Sequence, residues 1–131
     1  MPQATTAPPL AWSRAFPAVP AQVAEARRFL AAILDGRPTA DDAVLCLSEL
    51  ATNAVIHSHS GQPGGSYTVS AELGPRRLRV EVRDQGGPWT PAEDPDDPHG
   101  RGLLIVRQLA ADWGRAGGVT GWTVWFEMDC S

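Results

Sequence analysis

Two alternating runs, SYTVSAEL (66–73) and RRLRVEVRD (76–84), stand on either side of Gly74-Pro75. Apolar residues recur at every second position, so Val69, Ala71 and Leu73 share one face of the first run, and Leu78, Val80 and Val82 share one face of the second. That period of two with a turn signal between predicts an antiparallel hairpin that is apolar on one side only. Such a sheet has to be covered by another layer. The covering segments are legible at helical spacing: Val23, Ala26, Phe29, Leu30 and Ile33 in AQVAEARRFLAAIL, stopped by Asp35-Gly36, then a second helix over 40–57, then GRGLLIVRQLAADW. Thr39 is placed to cap the second helix, with Asp41 and Asp42 in the first turn, where the helix dipole favours acids. WSRAF, ahead of Pro17 and Pro20, reads as a short edge strand, and TVWFEM, after the turn glycines Gly117, Gly118 and Gly121, as a final apolar strand. Strand, helix, helix, hairpin, helix and one or two strands make an α+β chain: a two-layer α/β sandwich with a mixed or antiparallel sheet and helices on one face.

The 131 residues fit one domain, expected over 12–131, with 1–11 as a disordered leader that carries three prolines and no periodicity. No run is long and apolar enough to span a bilayer, and the first residues lack the charged start and apolar middle of a signal peptide, so a cytoplasmic location is expected. Cys46 and Cys130 are too few for a disulfide framework or zinc site and are expected to be reduced thiols. A formal charge of −4 with no basic run argues against nucleic acid as a partner. Every basic residue is arginine, so any phosphate site must use backbone amides, arginine or metal.

The second helix carries the first chemical signal. In LCLSELATNAVIHSHS, Glu49, Asn53 and His57 fall at i, i+4 and i+8 and form one polar stripe, opposite Val44, Leu47, Ala51, Ala54 and Val55. Alone, such a stripe is most simply a wet helix face. Downstream, the strand RVEVRD ends in Asp84 and runs into Gln85-Gly86-Gly87, placing a carboxylate beside backbone that a ligand can approach closely. QGGPWTPAEDPDDPHG (85–100), rich in proline, glycine and acids, is a long loop of the kind used as a lid. Gly100-Arg101-Gly102 then opens a helix, and free amides at a helix N-terminus attract anions.

In this order, ELATN on a helix, DQGG after a strand, HGRGLLIV opening a helix and GWTVWF on a final strand resemble the N box and glycine boxes of the GHKL ATP-binding superfamily, over roughly Trp12 to Met128. The similarity is closest to the anti-sigma-factor serine kinases, small histidine-kinase-like ATPase domains with a shortened lid. The resemblance implies the Bergerat fold, with ATP and Mg²⁺ held between the helical layer and the lid. It implies that Asn53 holds the metal and that Glu49 is the general base toward a serine hydroxyl. It assigns Asp84 to the adenine amino group, Thr123 to support of adenine, and Gly86, Gly100, Gly102 and Leu103 to the loops around the nucleotide, with Arg101 set to add charge at the phosphates. The implied partners are an anti-sigma-factor antagonist as the serine substrate and a sigma factor as the sequestered protein. A homodimer is also implied, although no separable dimerisation motif stands out. The alternative left open is a non-catalytic ATP-binding module that acts by protein binding alone.

Two departures from the family pattern stand in the chain. Gly86 and Gly87 are adjacent and followed by Pro88, where the family has a residue between its glycines, so Gly86 is the firmer match. Glu93, Asp94, Asp96 and Asp97 put negative charge in the lid, which disfavours polyphosphate unless a cation or an outward orientation offsets it. His57 reads more simply as structural than catalytic, His59 and His99 as loop residues, and Trp113, Trp122 and Trp125 as sheet packing. Trp89, between two prolines in the lid, is the aromatic placed to close over a nucleotide or face a partner.

Overall fold

In the computed structural model, which describes residues 10–57, 64–85, 101–118 and 121–130, the hairpin forms as β2 (Ser66–Leu73) and β3 (Arg77–Arg83). The register sets Val69 opposite Val82 and Ala71 opposite Val80, and the turn closes with the Gly74 amide donating to the Arg77 carbonyl at 2.9 Å. β1 (Leu10–Pro17) adds on the β2 side, beginning two residues ahead of Trp12, and β5 (Gly121–Asp129) and β4 (Asp112–Gly118) add on the other. The order is β1-β2-β3-β5-β4 and every pairing is antiparallel, so of the two expected sheet types the antiparallel one is present.

The alternation decides which side is covered. Tyr67, Val69, Ala71 and Leu73 of β2, Leu78, Val80 and Val82 of β3, and Val124, Phe126 and Met128 of β5 are all buried. Over them lie α1 (Pro20–Ile33), α2 (Ala40–His57) and α3 (Arg101–Leu109), with α2 in the middle of the helical layer and packed across β3, the middle strand. Phe16 stacks on Tyr67 and meets Phe29 edge-on, both at 5.8 Å between centroids, which ties β1, β2 and α1 together. Thr39 holds the N-cap position and its carbonyl accepts from the Ala43 amide, but its hydroxyl is buried without a hydrogen-bond partner among the described residues, so the side-chain cap expected there is not made.

The opposite face of the sheet has no helix over it among the described residues, and charge pairs line it. Arg79 lies 2.9 Å from both Glu81 and Glu127, and its guanidinium stands 4.2 Å over the ring of Trp125. Arg77 also reaches Glu127, at 3.0 Å. Trp125 in turn covers Gly114, where a Cβ would come within 2.8 Å of the indole, so only glycine admits the ring at that height. At the β4–β5 turn, Gly117 has φ +117° and an added Cβ would fall 2.0 Å from the Gly121 carbonyl.

Hydrogen bonding from Arg79, then from Arg77, together with the attraction of both cations, holds the Glu127 carboxyl below its usual range against a smaller opposing effect of burial. A depressed folded-state value gives stability that is present above the unfolded value of about 4.3 and is lost as pH falls through the folded one. Glu127→Gln is therefore expected to be less stable than the parent near neutral pH, with the gap in urea midpoint closing as the buffer is taken below about pH 4. A gap that stays constant over that range would mean that the carboxylate charge contributes nothing.

Candidate functional site

The site is built from the middle of each layer. On α2 the helical repeat puts Cys46, Leu50, Asn53 and Ala54 toward the interior, all buried. Asn53 is 6% exposed, so it is not part of a wet face, and its Nδ2 has no hydrogen-bond partner among the described residues. Glu49, one turn earlier, is half-buried at the margin. The two residues of the predicted stripe thus occupy different environments: a carboxylate with access to solvent and an amide inside. Glu49 is near enough to the interior that its charge, after burial and Asp42, helps push the Cys46 thiol up to about 12. Cys46 is consequently an inert buried thiol.

A buried amide without a partner costs about 1–3 kcal/mol, so it asks for an oxygen that the described residues do not supply. Turned over, the same amide presents its oxygen to a cation. Among the described residues no three His, Cys, Asp or Glu side chains converge as a metal site. A cation here would be held by the Asn53 oxygen together with oxygens of a bound phosphate chain and water, a donor set that suits Mg²⁺.

The other half of the site is the end of β3. Asp84 continues the alternation of Leu78, Val80 and Val82, so its side chain points to the helical side, where it is 8% exposed. Its amide donates to the Trp122 carbonyl at 2.8 Å, and its Oδ1 accepts from the Trp122 amide at 3.3 Å. The carboxylate thus replaces its own backbone carbonyl in the last rung of the β3–β5 ladder. Gln85 ties the same strand end to the other neighbour, its Oε1 accepting from the Ser66 amide at 3.0 Å. The Asp84 carboxylate is in this way fixed by strands on both sides before any ligand arrives.

The register separates Thr123 from this group. It pairs with Arg83 and shares its side of the sheet with Trp125 and Glu127, away from the helices, while Trp122 lies on the side of Asp84. The Thr123 hydroxyl, expected to support adenine, therefore lies on the other side of the sheet from the Asp84 side chain. Trp122 is brought there instead, with the Arg115 guanidinium 5.3 Å from its ring. Sequence reasoning took Trp122 only for sheet packing and passed over Arg115; the signal was parity, since both share the face of Val124, but β4 is too rich in glycine for its alternation to be read. Arg101, Gly102 and Leu103 form the first turn of α3, as the HGRGLL pattern predicted, and their side chains lie outside the described residues. Gly86, Gly100, the lid acids, Trp89, His59, His99 and the His57 side chain also lie outside them.

The sequence profile of one family, the histidine kinase-like ATPase domain, matches residues 16–128. Two relatives named anti-sigma F factor are similar over shorter segments: one from Shouchella clausii, 42% identical over 40 residues, covering 30% of this chain and 27% of that protein, and one from Clostridium acetobutylicum, 41% identical over 46 residues, covering 35% and 32%. The matched segments thus span about a third or less of those relatives. Among solved structures, that of the RsbU and RsbW domains of Rv1364c from Mycobacterium tuberculosis superposes with a TM-score of 0.74 at 21% identity, covering 92% of this chain and 32% of that one. That likeness concerns the fold.

Removing the orphaned amide is expected to stabilise the nucleotide-free protein. Asn53→Ala relieves an unsatisfied buried group and improves helix propensity, for a net gain of about 1 kcal/mol, or about 4 °C in Tm by calorimetry. A fall of that size would instead make Asn53 a satisfied structural residue.

Proposed function

The chain belongs to the histidine kinase-like ATPase domain family, and on that premise we propose that it binds ATP with Mg²⁺ between α2 and the end of β3 and acts as a protein serine kinase on an anti-sigma-factor antagonist. The observation that carries the reading is the pairing of two buried polar groups on that side: the amide of Asn53, whose nitrogen has no partner among the described residues, and the inward carboxylate of Asp84, held in place by the Trp122 amide. Asp84 accepts from the adenine amino group, a contact that guanine, with a carbonyl there, cannot make. Asn53 would hold Mg²⁺ through its amide oxygen. Mg²⁺, when bound, neutralises charge on the phosphate oxygens. The glycines and free amides that open α3 take up the phosphates.

Glu49 acts as the base. The partner's serine oxygen attacks the γ-phosphorus, its proton passes to the Glu49 carboxylate, and the bond from phosphorus to the ADP oxygen breaks in line with the attack. The half-exposure of Glu49 fits a group that must meet the hydroxyl of another protein, and the buried Asn53 fits one that meets only nucleotide and metal. The name anti-sigma F factor, carried by the two partial relatives, supports the choice of a sigma factor as the sequestered partner; the antagonist as substrate rests on the resemblance of the motifs.

The test is incubation with γ-labelled ATP and candidate antagonist domains. The serine of one antagonist is expected to be labelled by the parent, and Glu49→Gln is expected to bind ATP within about twofold while transfer falls about 10²- to 10⁴-fold. ATP binding with no antagonist labelled would sink the kinase reading in favour of a binding module. Equal loss of binding and transfer in Glu49→Gln would remove the role given to that residue.

A further inference from the structure

Trp122 continues a buried row without being buried itself. Val124, Phe126 and Met128 face the helices from β5 and are buried, whereas Trp122, next in the same alternation, is half-buried. Among the described residues, the cover given by the helical layer thus thins at this end of β5. Half-burial of a tryptophan is ordinary in itself. Its neighbours are what point to a ligand.

Three of them set its position. Toward β3 stands Asp84, in the same rung: its amide donates to the Trp122 carbonyl at 2.8 Å and its Oδ1 accepts from the Trp122 amide at 3.3 Å. Side chains opposed in this way start from Cβ atoms about 4.5–5.5 Å apart. Toward β4 the opposed residue is Gly117, which has no side chain and admits none, since a Cβ there would fall 2.0 Å from the Gly121 carbonyl. Two residues earlier on β4, Arg115 pairs with Val124 and carries its guanidinium to 5.3 Å from the Trp122 ring. A cation on the β4 side sets the opposite face of the indole toward β3, where Asp84 stands.

On the reading of an adenine nucleotide at Asp84, we propose that the Trp122 indole forms a wall of the base site and stacks on the purine whose amino group donates to that carboxylate, an aromatic contact where the motif resemblance implies a hydroxyl. The amino group lies in the plane of the purine and is bonded to its ring. A purine held by Asp84 therefore comes within reach of the indole, at the separation of about 4.5–7 Å between centroids over which aromatic rings attract. The two residues do different things. The carboxylate distinguishes one base edge from another, and the indole adds affinity for any flat base, because every base has a π-face. The guanidinium beside the ring limits its rotation before a ligand arrives. An indole that only closed the end of the core could be replaced by any apolar side chain of sufficient bulk, whereas a stacking partner has to be a ring.

Binding of ATP with Mg²⁺ to the parent, Trp122→Phe and Trp122→Leu, followed by isothermal titration and by tryptophan emission, separates the two cases. Phenylalanine keeps a ring and leucine only the apolar bulk. Trp122→Phe is expected to bind within about threefold of the parent, and Trp122→Leu more weakly by about 5- to 150-fold. ATP is expected to lower the emission of the parent and to lower that of Trp122→Phe much less, because the stacked indole is gone. Should the leucine variant fail to fold, that loss of quenching decides. Equal affinity in the two variants, or quenching in Trp122→Phe as large as in the parent, would overturn the stacking role and leave the nucleotide site standing. A parent that binds no ATP would overturn the nucleotide site and the stacking role with it.

Discussion

The packing of α2 across β3 is the contact on which the rest of the molecule depends. β3 is the middle strand and α2 the middle helix, so this contact brings the best-covered parts of both layers together. Polar groups at such a position are expensive unless something satisfies them. Asn53 and Asp84 are the two buried polar residues among the described ones, and both belong to these two elements, Asp84 directly following β3. The fold satisfies Asp84 in part, through Trp122, and leaves the Asn53 nitrogen without a partner. On the proposed reading, bound nucleotide with its cation would give the Asn53 amide the partner that the described residues do not.

The rigidity of the carboxylate follows from the ladder. An aspartate at the tip of a loop would have to be ordered as the ligand binds. Here Asp84 completes a rung with β5 while Gln85 fastens the same strand end to β2. Orientation is therefore fixed before binding, and discrimination between bases can rest on a hydrogen bond already aimed.

Much of this was legible in the sequence, and the reasons are specific. The β2–β3 alternation fixed the inward parity of Asp84, because a strand of seven residues with three inward branched or aliphatic side chains has one register that buries them. The three helices were readable from their repeats, although the third ends at Leu109 and Asp112 and Trp113, expected within it, open β4 instead. The burial of Asn53 was not: an isolated polar stripe looks the same whether it faces water or a ligand, and the answer lies in tertiary packing. The adenine support expected of Thr123 comes from motif matching, which does not resolve strand parity at the end of β5; the register assigns the side of Asp84 to Trp122. The Thr39 cap failed for a related reason, since residue preference marks the start of a helix but does not orient the hydroxyl.

The central claim, an adenine nucleotide site formed by Asn53 and Asp84, is tested most directly by isothermal titration of the chain with ATP, ADP and GTP, with and without Mg²⁺. The account predicts binding of ATP and ADP, strengthened by Mg²⁺, and binding of GTP weaker by about tenfold or more, the loss of roughly one well-aimed hydrogen bond. Equal affinity for ATP and GTP, or no heat with any of the three, would contradict it.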